Sequence, residues 1–277
     1  MMTAHQGHQG GEGHQATDTW DPAQYDKFQR EREQPFFDLL ALVQPRPAMR
    51  VVDLGCGTGA LTRKLHERLG AQETVGIERS ENMRAGRGDS APPPGLRFEA
   101  RTIESFVTPA PLPQWDLVFS NAALQWADDH ERLIERLAAT LAPGGQLAFQ
   151  VPAQHDTLTH TVADDLATAE PFRSALDGWR RRHSVLAPDA YARLLYRCGF
   201  ADPKVLLIVY PHILSSREDV VEWVKGTMLT AYKRRLPENV YDQFVAEYRA
   251  RLLPRLEDSR PFFYPFKRIL CWGQRSA

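Results

Sequence analysis

The chain has 277 residues, 43% of them hydrophobic and 25% charged, enough for one large domain or one domain with a sizeable insertion. Its 34 basic and 35 acidic side chains leave a formal net charge of −1, so no global field gathers nucleic acid or an anionic membrane. Cys56, Cys198 and Cys271 stand far apart and supply neither a disulfide framework nor a paired-thiol metal knuckle. With no charged-then-apolar leader and no membrane-length apolar run visible, a cytoplasmic protein with no nucleic-acid or membrane partner is expected.

Residues 1–18 are rich in Gly, Gln and His and nearly free of large apolar side chains, which predicts a disordered tail. His5, His8 and His14 in it are spaced too loosely to define a metal site. From 19 to 48, apolar residues fall at helical intervals: Tyr25 and Phe28, then Phe36, Leu39, Leu40 and Val43. Asp21-Pro22 suits a helix start, and Pro35 predicts a break between two helices.

Strands and helices then alternate over 49–152. Strands are predicted at Met49–Leu54, Thr74–Glu78, Leu96–Arg101, Trp115–Ser120 and Gly145–Val151. Helices are predicted at Ala60–Leu69, Ser80–Arg87 and Asp128–Leu141, and the proline-rich Ala91–Gly95 reads as a loop. Such alternation implies an α/β fold with a parallel sheet covered by helices on both faces. The half from 153 to 277 reads as a helix at Ala187–Cys198, a long strand at Pro203–Leu214, two amphipathic segments near Ser216–Leu229 and Pro237–Leu256, and a last strand at Tyr264–Gly273. Helices between the last two strands, about 215–262, form an insertion expected to lie over the sheet. No internal repeat is apparent.

The stretch Arg50–Gly59, RVVDLGCGTG, carries the chemistry. In an open α/β sheet ligands bind beyond the carboxyl ends of the strands, and glycine lets the backbone approach them closely. Gly55, Gly57 and Gly59 follow a G-x-G-x-G pattern, one residue short of the dinucleotide fingerprint. Asp53, ahead of the first glycine, repels a pyrophosphate and suits an ammonium group. Glu78 ends the next strand, about two dozen residues on, where a carboxylate can take a ribose diol. Ribose and an ammonium without phosphate describe S-adenosylmethionine.

Here the sequence resembles the class I S-adenosylmethionine-dependent methyltransferases, and more narrowly the trans-aconitate methyltransferase family. The residues that carry the likeness are WDPAQYDKF at Trp20–Phe28, DLGCGTG at Asp53–Gly59, SNAALQW at Ser120–Trp126 with Asp129-His130, and LAFQVP at Leu147–Pro152. YPHIL at Tyr210–Leu214, Glu222-Trp223-Val224 and YPFKRIL at Tyr264–Leu270 extend it to the last strand. The resemblance implies a Rossmann-like sheet of seven strands, mostly parallel with the last antiparallel, and a helical cap over the substrate. It implies cofactor contacts from Asp53, Gly55, Cys56, Gly57, Gly59, Glu78, Arg79, Met83, Thr102, Ile103, Asn121 and Ala122, with Tyr25, Phe28 and Arg32 on a covering helix. Met83 matches a position that packs on adenine, and Asn121 and Ala122 line the methionine side. The chain departs from the pattern at Thr102, where an aspartate commonly serves adenine, at Gln34, where a second arginine is usual, and at Arg79, where serine is usual.

For the acceptor, the resemblance points to Trp126, Tyr210, His212 and Arg268. Some of these, and some of their neighbours, also have a plainer reading. Trp126 suits core packing as well as the ligand crevice, and His212 suits a satisfied structural role as well as acceptor binding. Trp223 fits a helix core, Lys233-Arg234-Arg235 fits a solvated face, and Lys267 and Arg268 point to opposite faces of their strand. A carboxylate acceptor is ionised at neutral pH and needs no general base. A hydroxyl acceptor needs one, with His130 or His212 as candidates. The expected activity is methyl esterification of trans-aconitate or a related small carboxylic acid, with S-adenosylhomocysteine as the other product. Alternatives are an O- or C-methyltransferase for a more apolar metabolite, a NAD-dependent dehydrogenase, and a non-catalytic binding module.

Overall fold

The computed structural model describes residues 29–88, 90–108 and 114–276, apart from the side chains of residues 29–32. The expected tail, the helix start at Asp21-Pro22, Tyr25, Phe28 and the Arg32 side chain lie outside the described residues.

Helix α1 runs Gln29–Leu40, with Pro35 inside it, so the expected break is absent. Proline costs a helix one hydrogen bond, but Phe36 and Leu39 are fully buried against the sheet and that packing decides the conformation. Strand β1 (Arg50–Leu54) follows, then α2 (Ala60–Leu69), β2 (Glu73–Ile77), α3 (Glu81–Ala85), β3 (Leu96–Glu99), α4 (Ile103–Phe106) and β4 (Trp115–Asn121). A short 3-10 turn, Leu124–Trp126, leads to α5 (His130–Ala139), β5 (Leu141–Pro152), α6 (Leu158–Ala167) and α7 (Phe172–Ala175). The chain ends with α8 (Pro188–Arg197), β6 (Phe200–Leu214), α9 (Glu218–Lys225), α10 (Thr230–Lys233), α11 (Glu238–Leu252) and β7 (Phe262–Arg275).

The seven strands form one sheet in the order β3-β2-β1-β4-β5-β7-β6. The pairs among β1 to β5 are parallel, and β7 is antiparallel to both β5 and β6. Alternate residues feed two helical layers. Val52, Leu54, Val118 and Phe149 face α5 and α8, while Val51, Leu117, Phe119 and Ala148 face α1 and α2.

A second core lies beyond the carboxyl ends of the parallel strands. Pairing of Pro152 with Arg268 carries the first residues of β7 past the end of β5. There Tyr264 and Phe266 meet Trp223, Tyr232, Phe244 and Tyr248 from α9 to α11, and Val162, Leu166 and Phe172 from α6 and α7. The helices between β6 and β7 therefore share a core with α6 and α7, which periodicity had not marked. Among the described residues no helix is long and apolar enough to cross a membrane.

Candidate active site

The glycine turn after β1 adopts the backbone its composition requires. Gly55, Gly57 and Gly59 have φ of +73°, +57° and +81°, in the left-handed region that side chains disfavour. The N–H groups of Gly55 and Cys56 donate to the Ile77 carbonyl at 2.8 and 3.0 Å, tying the turn to β2. A Cβ at Gly55 would stand 2.2 Å from that of Ala123.

Two carboxylates flank the turn. Glu78 Oε2 accepts from the Gly57 N–H at 3.0 Å and Oε1 from the Ser80 N–H at 2.8 Å. Asp53 is buried and accepts from the Thr62 hydroxyl at 2.6 Å. Burial pushes the Asp53 carboxyl up to about 7; the Thr62 bond opposes that shift and the nearby Glu78 charge adds to it. The Cys56 thiol is pushed far up, mainly by burial, so it is no nucleophile. Two hydroxyls serve helix starts: Ser80 accepts from the Met83 N–H at the head of α3, and Thr102 from the Ser105 N–H at the head of α4.

These elements enclose a cleft of about 160 Å³. Its walls include Asp53, Gly55, Cys56, Gly57, Glu78, Arg79, Met83, Thr102, Ile103, Asn121 and Ala122. Gly59 is not among the lining residues; it starts α2, and a Cβ there would meet the Phe98 ring at 2.6 Å.

A larger chamber of about 840 Å³, lined from the sheet, from α9 and from α10, shares Asn121, Ala122 and Trp126 with the cleft. Ala122 holds φ of +55°, a strained value for a residue with a side chain. At this junction a hydrogen-bonded chain crosses three strands. Gln150 Nε2 donates to Asn121 Oδ1 at 2.7 Å, and Arg268 Nη1 donates to Gln150 Oε1 at 3.1 Å. Arg268 is 3% exposed and lies against the Phe266 ring at 4.8 Å. Lys267, its neighbour, points away and pairs with Asp156 at 2.6 Å. The chamber wall carries six arginines and three histidines against a single carboxylate, Asp128.

Trp126 and Arg268 line the chamber, but His212, Tyr210 and His130 line neither cavity. His212 is buried behind the lining, stacked on Phe266 at 4.8 Å and tilted on Trp223 at 4.6 Å. Tyr210 donates to Asp38 of α1 at 2.8 Å. His130 is buried between the Leu124 carbonyl at 2.9 Å and the Tyr191 hydroxyl, and burial lowers its basicity. Sequence reasoning missed Thr62, Gln150 and the run Arg180-Arg181-Arg182; of the run it read as a solvated face, Lys233 and Arg235 are exposed, while Arg234 is half-buried, and Arg234 and Arg235 also line the chamber. Gln150 was visible within LAFQVP as a polar residue in an apolar strand, a signal for a buried polar role.

Residues 25–204 match a family model described as a methyltransferase domain. The chain is 41% identical over 258 residues to a trans-aconitate 2-methyltransferase of Deinococcus radiodurans, covering 91% of this chain and 96% of that protein. It is 38% identical over 234 residues to a trans-aconitate 2-methyltransferase of Variovorax paradoxus, covering 84% and 88%. The crystal structure of the YcgJ protein from Bacillus subtilis superposes with a TM-score of 0.55 at 16% identity, over 88% of this chain and 99% of that one, and so shares the fold. The chain belongs to the S-adenosylmethionine-dependent methyltransferase family that includes the trans-aconitate 2-methyltransferases.

Proposed function

We propose that the chain methylates a carboxylate of trans-aconitate, or of a closely related polycarboxylic acid, to a methyl ester. The observation that carries this reading is the Arg268–Gln150–Asn121 chain, where a strongly cationic chamber opens onto the cleft. The names of the relatives agree with it.

The cleft suits S-adenosylmethionine by its donor set. Asp53 is a buried carboxyl whose ionised form lacks a cation, and a ligand ammonium would supply one. Glu78 is held by two backbone N–H groups with oxygens facing the cleft, where a ribose diol would bind. Met83 and Ile103 offer apolar surface for adenine. Thr102 accepts one N–H in capping α4 and offers no carboxylate to the adenine amino group, so adenine recognition leans more on packing and backbone groups. When bound, the cofactor supplies a sulfonium methyl that an ionised carboxylate oxygen takes as the C–S bond breaks and sulfur keeps the electron pair.

The chain's own contribution is placement. Arg268 would hold the reacting carboxylate, and Gln150 sets the direction of its guanidinium. An ionised carboxylate requires no general base, so neither His130 and His212, which line neither cavity, nor His155, His160 and His183, which line the chamber, is needed to take a proton. Six arginines in the wall count against an apolar acceptor. The three cysteines are free thiols, as suits a reducing compartment.

The test is transfer of labelled methyl from S-adenosylmethionine to trans-aconitate, with Arg268→Lys and Arg268→Gln alongside. Arg268→Gln should lower kcat/KM by about a hundredfold, and Arg268→Lys should recover part of it as a point charge. No methyl incorporation into any carboxylic acid by the unmodified protein would sink the reading.

A further inference from the structure

Beyond Arg268, the chamber holds a second group of cations built on different elements. Asp164 of α6 is its organising centre. It accepts from Arg181 at 3.2 and 3.0 Å, from His183 at 3.0 Å and from the Tyr232 hydroxyl at 2.7 Å. These bonds neutralise Arg181 and fasten the segment after α7 to α10. Trp179 packs edge-on against Tyr232 at 5.7 Å, and the Arg235 guanidinium lies over Trp179 at 3.9 Å.

Arg180, Arg182 and Arg235 surround this fastened centre and face the chamber. Arg235 donates to the Ala231 carbonyl at 2.9 Å. Among the described residues no carboxylate pairs with any of the three. Three like charges gathered around one cavity repel one another, and the wall's single carboxylate cannot balance them. An anionic ligand relieves that repulsion.

We propose that Arg180, Arg182 and Arg235 form a second anion site that selects acceptors carrying carboxylates beyond the one that is methylated. The inference rests on the reading of Arg268 given above. One guanidinium answers one carboxylate through paired N–H···O bonds, so Arg268 alone would accept a monocarboxylate as readily as a tricarboxylate. The second site makes the difference in affinity between them, and that difference is the specificity.

Titration calorimetry in the presence of S-adenosylhomocysteine, so that no methyl moves, tests the site without catalysis. The ligands are trans-aconitate and crotonate, its monocarboxylate analogue, and the proteins are unmodified and Arg180→Gln/Arg182→Gln/Arg235→Gln. All three residues are exposed, so the variant should fold, and circular dichroism checks this; Arg180→Gln/Arg182→Gln serves if it does not. Trans-aconitate should bind the variant more weakly by at least about fivefold, with crotonate affecting the two proteins alike. A loss under about fivefold, or an equal loss for both acids, overturns the site. Labelled methyl transfer on the same proteins separates the two readings. Arginine-dependent binding without methyl transfer by the unmodified protein would overturn the proposed reaction and leave the anion site standing.

Discussion

Asp53 carries an electrostatic consequence that pH can read. Burial raises its carboxyl from the ordinary 3.8 to about 7. The ligand-free fold therefore holds this proton more tightly than the unfolded chain does. Stability from this group is present below about pH 4 and is lost as pH rises through about 7. Asp53→Asn should remove that slope in thermal melts followed from pH 4 to pH 8. Cofactor affinity should move the opposite way, since an ammonium binds the ionised carboxylate. It should increase between pH 6 and 7.5, by up to about tenfold per unit, when followed by calorimetric titration. A flat profile would show that Asp53 does not face the ammonium. At Gly57, φ is +57° and a Cβ would stand 3.0 Å from Met83 Cε. Gly57→Val should abolish S-adenosylmethionine binding in a protein that still gives a folded circular dichroism spectrum, because a β-branched residue both strains this backbone and blocks approach to it. Asp53, Glu78 and the glycines were legible in the sequence because a turn after a strand is a local event. Gln150 was not singled out, because its two partners lie 29 and 118 residues away.

Elements differ in how far their own sequence decides them. Ala60–Leu69 and the first four strands follow hydrophobic period, glycine stops and capping residues closely, but β5 starts at Leu141 instead of Gly145, because Trp115 of β4 already pairs with Leu141 ahead of an irregularity that takes up Pro143-Gly144-Gly145. The helices α7 and α10 have four residues each, and the packing partners of these two and of the longer α6 come from elsewhere in the chain. Period alone cannot mark them. Proline in α1 shows the same priority of packing over local preference. His130 illustrates a role that only element contacts reveal: it joins the turn at Leu124 to Tyr191 of α8 beneath the sheet's helical layer. His130→Ala should therefore cost about 2–3 kcal/mol of stability in denaturant unfolding, from two lost buried hydrogen bonds. Methyl-transfer rate per folded molecule should stay near that of the unmodified protein. A large fall in kcat with unaltered stability would return His130 to the chemistry.

At the scale of the whole molecule, a net charge of −1 hides a strong local imbalance, with six arginines around one chamber. Raising ionic strength from about 0.05 to about 0.5 M should raise KM for trans-aconitate several-fold through screening, and should change KM for S-adenosylmethionine far less, as stopped-time methyl-transfer assays would measure. Equal responses would mean that the chamber's charges do not meet the acceptor. Composition could not disclose this imbalance, because the arginines come from 180–182, 234–235 and 268, and folding gathers them while dispersing the acids. The sequence by itself determined the α/β alternation, the glycine turn and the two carboxylates that line the cleft beside it, since each depends on neighbours along the chain. Only the tertiary structure decided which cations face the larger chamber, that His212 and His130 line neither cavity, and that α6 and α7 share a core with α9 to α11. Those outcomes depend on contacts between distant segments, where burial and packing choose among positions that local sequence leaves equivalent.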